Sequence, residues 1–129
     1  MKKNKQIVLV EDDPDIMEIY RAMLQKAGFD VNVISLGGEV IKLMGEVQAG
    51  EAQKPGLVLL DLTLPDMNGM DVLAHIRGGS NTKDITVFIL TNQQESETTH
   101  PAGVKADKFI IKANITPTDL VGYVQKELK

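Results

Sequence analysis

Glu11, Asp12, Asp61, Thr91 and Lys112 share one feature: each stands at the end of a short apolar run. The runs are Ile7-Val8-Leu9-Val10, Leu57-Val58-Leu59-Leu60, Val87-Phe88-Ile89-Leu90 and Phe109-Ile110-Ile111. Three carboxylates, a hydroxyl and an ammonium gathered at one place would suit a divalent cation and a phosphoryl group. Two carboxylates ~4 Å apart repel by about 4 kcal/mol at an effective dielectric of about 20, so something positive must accompany them. Lys112 supplies one charge. Mg²⁺, with Mn²⁺ as a substitute, suits three acids better, because it takes oxygen ligands, keeps several waters and shares phosphate oxygens. Lys112 as a point charge and Thr91 as a hydroxyl donor would then meet the phosphoryl oxygens.

The apolar runs themselves say how these groups could converge. Four apolar residues bounded by turn chemistry read as a strand buried on both faces of a parallel sheet. Helical patterns lie between the runs. Asp13-Pro14 has the form of an N-cap with proline at the first helical position, and Ile16, Ile19, Tyr20, Met23, Leu24 and Ala27 follow at helical spacing up to Gly28. Val31, Val33 and Ser35 alternate as a further strand, with Ile34 on its other face. Val40, Leu43, Met44 and Val47 make the next helical stripe, and Met70, Leu73 and Ile76 a short one that stops at Gly78-Gly79-Ser80-Asn81. Thr116-Pro117-Thr118-Asp119 opens a last helix carrying Leu120, Val121, Val124 and Leu128. Strands alternating with helices imply βαβ units, right-handed crossovers and a doubly wound parallel sheet. The ends of its strands share one edge, where open α/β sheets bind ligands.

A chain of 129 residues without repeat, low-complexity segment or linker is expected to form a single domain over residues 1–129. The net charge of −4 argues against direct binding to nucleic acid or an anionic membrane, and Lys2, Lys3 and Lys5 read as a solvated terminus. With no cysteine, disulfides, thiolate metal sites and thiol catalysis are excluded. No apolar run approaches membrane-spanning length and no signal-peptide core is present, so a cytoplasmic location is expected.

Each polar residue has a plainer explanation when taken alone. Glu11, Asp12 and Asp13 are acids near a helix N-terminus, Asp61 is a turn starter, Thr91 a strand-end hydroxyl and Lys112 a solvated charge. Together these require four independent accidents on one edge. The functional reading is the simpler one.

On these residues the sequence resembles the receiver domain of two-component response regulators, over essentially its whole length. Glu11-Asp12 is similar to the family's acidic pair, Asp61 to its phosphoacceptor, and Leu64-Pro65-Asp66-Met67-Asn68-Gly69 to the loop after the acceptor. Thr91 matches the switch threonine, and Phe109, three residues before Lys112, the switch aromatic. The resemblance implies a flavodoxin-like (CheY-like) five-stranded parallel sheet in order 2-1-3-4-5 with five flanking helices. It also implies phosphoryl transfer from a phosphohistidine on a histidine kinase or phosphotransfer protein to Asp61, a chemistry the protein performs on itself and not as a conventional enzyme. Asp12, Asp61 and the Thr63 backbone carbonyl would ligate Mg²⁺, with Glu11 acting through water. Movement of Thr91 toward the phosphoryl group would turn Phe109 inward and alter a surface read by an unknown downstream protein.

Three departures from the family pattern stand out. Asn92 follows Thr91 where a small residue is usual, which bears on access to the acceptor and on phosphate lifetime. Ala113 follows Lys112 where proline is usual. A cis bond before a non-proline residue costs ~2.5–4 kcal/mol, so a trans Lys112–Ala113 peptide and a rearranged loop are expected, with Lys112 still ending its strand. Residues 92–106 offer few apolar anchors, Ala102 and Val104 among them, so the fourth helix is expected to be short or irregular. Two rivals remain to be weighed. A receiver-like binding module that is never phosphorylated should lose the acceptor, the acids or the lysine, and this chain keeps them. An aspartyl phosphohydrolase needs a second acid two residues after its nucleophile, where Thr63 stands.

Overall fold

The computed structural model describes residues 4–92 and 104–128. Five strands, β1 (Gln6–Val10), β2 (Asp30–Ile34), β3 (Leu57–Asp61), β4 (Thr86–Thr91) and β5 (Lys108–Ile111), form one sheet in the order β2-β1-β3-β4-β5. Every pairing is parallel. Four α-helices lie among the described residues: α1 (Pro14–Lys26), α2 (Gly37–Gln48), α3 (Gly69–Gly78) and α4 (Pro117–Glu127). The α4 helix is the one expected as the fifth. The expected short or irregular helix over 92–106 falls largely on residues 93–103, outside the described residues.

Side chains alternate between the two faces of a strand, and both faces here are covered. Val8, Val10, Val58 and Leu60 pack with Val40 of α2 and Leu73 of α3 on one face. Ile7, Leu9, Leu57 and Leu59 pack with Leu24 of α1 and Leu120 of α4 on the other. All five residues of β3 are buried, as the unbroken apolar run requires of a central strand.

Local chemistry sets the ends of the elements. The Asp13 side chain accepts the Asp15 and Ile16 amides at 2.9 and 3.2 Å, capping α1. At the other end Gly28 takes φ 99°, its amide donates to Gln25 O and the Phe29 amide to Leu24 O, the paired bonds of a Schellman stop. Thr116 and Asp119 form a reciprocal capping box at α4. Ile19, expected on the buried stripe of α1, is 49% exposed. It lies about 100° around the helix from Tyr20, off the face centred on Tyr20 and Leu24, and Met17 packs against the core on the other flank. Ser35 falls outside β2, which ends at Ile34.

Lys112 does not end β5 as expected. The strand stops at Ile111, and Lys112 opens a 3₁₀ turn, Lys112–Asn114, that closes with the Ile115 amide directed at Lys112 O. The bend redirects the chain toward α4 with a trans Lys112–Ala113 peptide, as the cost of the cis form predicted. Arg77 holds β5 from its other end. Its guanidinium donates to the carbonyls of Lys83, Ile85 and Lys105 and to the Asp107 carboxylate, which also accepts the Val87 amide.

The start of α3 is packed against the end of β3. The Gly69 amide donates to Leu62 O at 2.8 Å, and a Cβ at Gly69 would overlap the Asp61 carbonyl oxygen and lie 2.7 Å from Leu62 Cα. Those are backbone atoms and cannot turn aside. Gly69→Ala is therefore expected to lower the unfolding free energy by about 1–3 kcal/mol in urea titration, despite alanine's better helix propensity. Gly45→Ala, in α2 with nothing within 4 Å of the added carbon, should be neutral or raise it by about 0.5–1 kcal/mol. Equal responses at the two positions would contradict the close approach.

Candidate functional site

The strand order brings the ends of β1 and β3 side by side, with Val10 paired to Leu60. Glu11 follows Val10, donates its amide to Ile34 O at 3.1 Å and is 1% exposed. Asp61, the last residue of β3, is 5% exposed. Asp12, the residue after Glu11, is exposed. One carboxylate oxygen from each of Glu11, Asp12 and Asp61 lies within 4.8 Å of the others, so all three expected acids meet.

Lys112 reaches across from the 3₁₀ turn. Its Nζ lies 2.7 Å from Glu11 Oε1 and 3.1 Å from Asp61 Oδ2, and its side chain is itself buried. Glu11 Oε2 accepts the Asp12 and Asp13 amides at 3.1 and 3.3 Å. Asp61 Oδ1 accepts the Thr63 amide at 3.2 Å, placing Thr63 against the Asp61 carboxylate. Burial, together with contact with Asp61, pushes the Glu11 carboxyl above its ordinary value, and Lys112 does not cancel the effect. Burial pulls the Lys112 ammonium down, but the Glu11 hydrogen bond and the two carboxylate charges outweigh it, so Lys112 stays firmly charged. Breaking a buried pair of this kind by removing one partner costs roughly 3–5 kcal/mol.

Thr91 ends β4 and is 3% exposed. Asp61 pairs with Leu90, so Thr91 stands one residue beyond Asp61 on the neighbouring strand. Ile89 pairs with Phe109, and two-residue periodicity puts Thr91 and Phe109 on the same sheet face. Phe109 is half-buried there, against the core shared with α2 and α3.

Asn92 borders a cleft of about 350 Å³ with Lys112, Ala113, Ile16, Tyr20 and Pro117, on the α1 side of the acidic edge. A larger cleft, about 470 Å³, lies between α2 and α3 around Met44, Gln48 and Thr82. It holds none of the acids, and its size has nothing to do with the chemistry.

The loop after Asp61 is more tightly built than its sequence suggests. Thr63 and Asn68 form a bridge across its base, and Asn68 caps α3 by accepting the Met70 amide at 2.8 Å. At its tip the Asp66 carboxylate accepts the Gly37 and Gly38 amides at 2.8 and 2.9 Å. Asn-Gly before an apolar stripe is a legible cap signature, but a contact spanning 29 residues has no local signal.

The sequence profile of the response regulator receiver domain matches residues 7–125. The DNA-binding response regulator MtrA of Mycolicibacterium smegmatis is 32% identical over 125 residues, covering 97% of this chain and 51% of MtrA. The chain thus spans about half the length of the curated relatives it matches first. Among solved structures, the phosphorylated cyanobacterial phytochrome response regulator RcpA is 27% identical with a TM-score of 0.78, over 95% of this chain and 90% of that one. The response regulator TrrA of Thermotoga maritima, solved with Mg²⁺ and BeF, is 27% identical with a TM-score of 0.79, over 96% and 99% of the two chains.

Three crowded carboxylates facing one lysine predict that Mg²⁺ binds the folded chain preferentially. At ten times its Kd the gain is about 1.4 kcal/mol, a rise of roughly 4–7 °C in Tm by calorimetry. Asp12→Ala should lose most of that rise. An undiminished rise in Asp12→Ala would put the ion elsewhere.

Proposed function

The chain belongs to the response regulator receiver domain family, and from that membership we propose that it is a phosphoacceptor switch whose acceptor is Asp61. The observation that carries this reading is the Asp61 carboxylate itself. It ends the central strand, is buried, and is gripped by Lys112 beside Glu11 and Asp12.

Asp12, Asp61 and the Thr63 carbonyl are the groups that would hold Mg²⁺, with Glu11 acting through water, and the clustering of the acids fits such an ion. When bound, Mg²⁺ neutralises charge on the acids and on the incoming phosphoryl oxygens. The chain's own residues supply the remainder. An Asp61 carboxylate oxygen attacks phosphorus in line, and the P–O bond forms as the P–N bond to the donor histidine breaks. The leaving imidazole takes the electron pair of that bond, and the product is an acyl phosphate. Lys112 needs no new position to serve, because an ammonium already within 3.1 Å of Asp61 can donate to the phosphoryl group seated there. Thr91 donates from the next strand, and its displacement is passed to Phe109 on the same face. Catalysis of this kind is positioning and charge neutralisation.

The donor is a histidine kinase or histidine phosphotransfer protein, and the output is a protein surface altered around Phe109. Residues 1–129 act as one receiver domain in the cytoplasm. Among the described residues no helix is long and apolar enough to cross a membrane. DNA binding belongs to MtrA by name, and the net charge of −4 supports no direct nucleic-acid contact by this chain.

Incubation with Mg²⁺ and acetyl phosphate is expected to add the mass of one phosphoryl group to the intact protein, and chelation of the metal should prevent it. Asp61→Asn should fold normally and stay unlabelled. Labelling of Asp61→Asn at the wild-type rate would overturn the assignment.

A further inference from the structure

We propose that Asp66 is a positioning residue, tying the tip of the loop after Asp61 to the first turn of α2 and so holding Thr63 in place beside the acceptor. The inference deepens the phosphoacceptor reading and rests on it, since it concerns the loop that would carry the Thr63 carbonyl ligand.

The α2 helix begins without a cap of its own. Its N-cap residue is Leu36, whose side chain makes no capping hydrogen bond. The first two helical amides, of Gly37 and Gly38, are instead taken by the two carboxylate oxygens of Asp66, at 2.8 and 2.9 Å. These bonds, from Gly38 and then Gly37, hold the Asp66 carboxyl below its usual value. The approach is close: a Cβ on Gly37 would overlap Met67 Cγ and lie 2.7 Å from Met67 Sδ, so the Met67 side chain would have to shift to admit it. Loop tip and helix start are therefore in direct contact, and the Asp66 carboxylate sits at the positive end of the α2 macrodipole.

The tip is connected to the acceptor by few residues. Thr63 donates to Asp61 Oδ1 at 3.2 Å, bridges to Asn68, and lies three positions before Asp66. Base and tip of the loop are thus fastened to different elements, β3 and α3 below, α2 above. A backbone carbonyl serving Mg²⁺ must meet near-ideal octahedral geometry at about 2.0–2.1 Å, so small displacements of Thr63 matter. Outer groups that orient metal ligands commonly change affinity by roughly 10–100-fold when lost.

Helix capping alone would also make Asp66 useful, and a second substitution separates the two roles. Asp66→Ala removes the tether and leaves Asp12, Asp61 and Glu11 untouched. Adding Leu36→Asp then gives α2 a cap from its own N-cap position without reconnecting the loop. Mg²⁺ affinity is read by calorimetric titration, and exchange of the Gly37 and Gly38 amides by NMR in metal-free protein. Asp66→Ala is expected to weaken Mg²⁺ binding about tenfold, with Asp66→Asn between it and wild type, and to speed exchange of both amides. Weak binding should persist with Leu36→Asp present, even as the unfolding midpoint recovers. Wild-type affinity in Asp66→Ala, or affinity restored by Leu36→Asp, would overturn the proposal. A wild-type chain that binds no Mg²⁺ would instead overturn the phosphoacceptor reading, while the amide exchange still reports whether the tether exists.

Discussion

The bridge from the Lys112 ammonium to Glu11 and Asp61 is the interaction on which the rest of this structure depends. A parallel sheet delivers the ends of its strands to one edge, and the chain has placed acids at two adjacent ends. Glu11 and Asp61 are both almost wholly buried, so water does little to relieve their repulsion. Lys112 stands 2.7 and 3.1 Å from them and carries the opposing charge. Among the described residues one cation faces three carboxylates, which leaves the edge short of positive charge. That deficit is a binding property. A site under such electrostatic stress gains from a divalent cation, and an added phosphoryl group then finds metal and lysine already in place.

The surrounding architecture can be understood as the means of keeping that edge rigid. Arg77 pins the segments entering β4 and β5, so the strand that leads to Lys112 starts from a fixed point. Gly69 lets α3 start directly against the Asp61 carbonyl, and the Thr63–Asn68 bridge closes the loop between them. The Schellman stop of α1 and the capping box of α4 set where the flanking helices end and begin.

Much of this was legible from the sequence because its causes are local. The apolar runs, three of four residues and one of three, are long enough for strands and too short for helices, and those before Glu11, Asp61 and Lys112 lead into the groups that meet at one edge. Strand order 2-1-3-4-5 followed from the family resemblance, and the pairing confirms it. What was not legible depends on contacts between distant segments. The Asp66 clasp on α2 and the Arg77 pin each join residues about thirty positions apart, and neither leaves a periodic trace. Ile19 was misplaced because helical spacing tolerates a wide stripe, while the sheet covers a narrower one. Lys112 lies one residue past β5, and an apolar run does not reveal that the chain turns immediately after it. The trans Lys112–Ala113 peptide was predictable, being set by covalent chemistry in place of packing.

In the phosphoacceptor reading a single carboxylate, that of Asp61, becomes an acyl phosphate. Acyl phosphates are reduced by borohydride to the alcohol, whereas free carboxylates are not, so the modified residue can be marked permanently and located by peptide mass spectrometry. Treatment of the chain with Mg²⁺ and acetyl phosphate, followed by borohydride, should convert Asp61 alone to homoserine. Conversion at Asp12, Glu11 or another acid, with Asp61 unmodified, would contradict the assignment of Asp61 as acceptor.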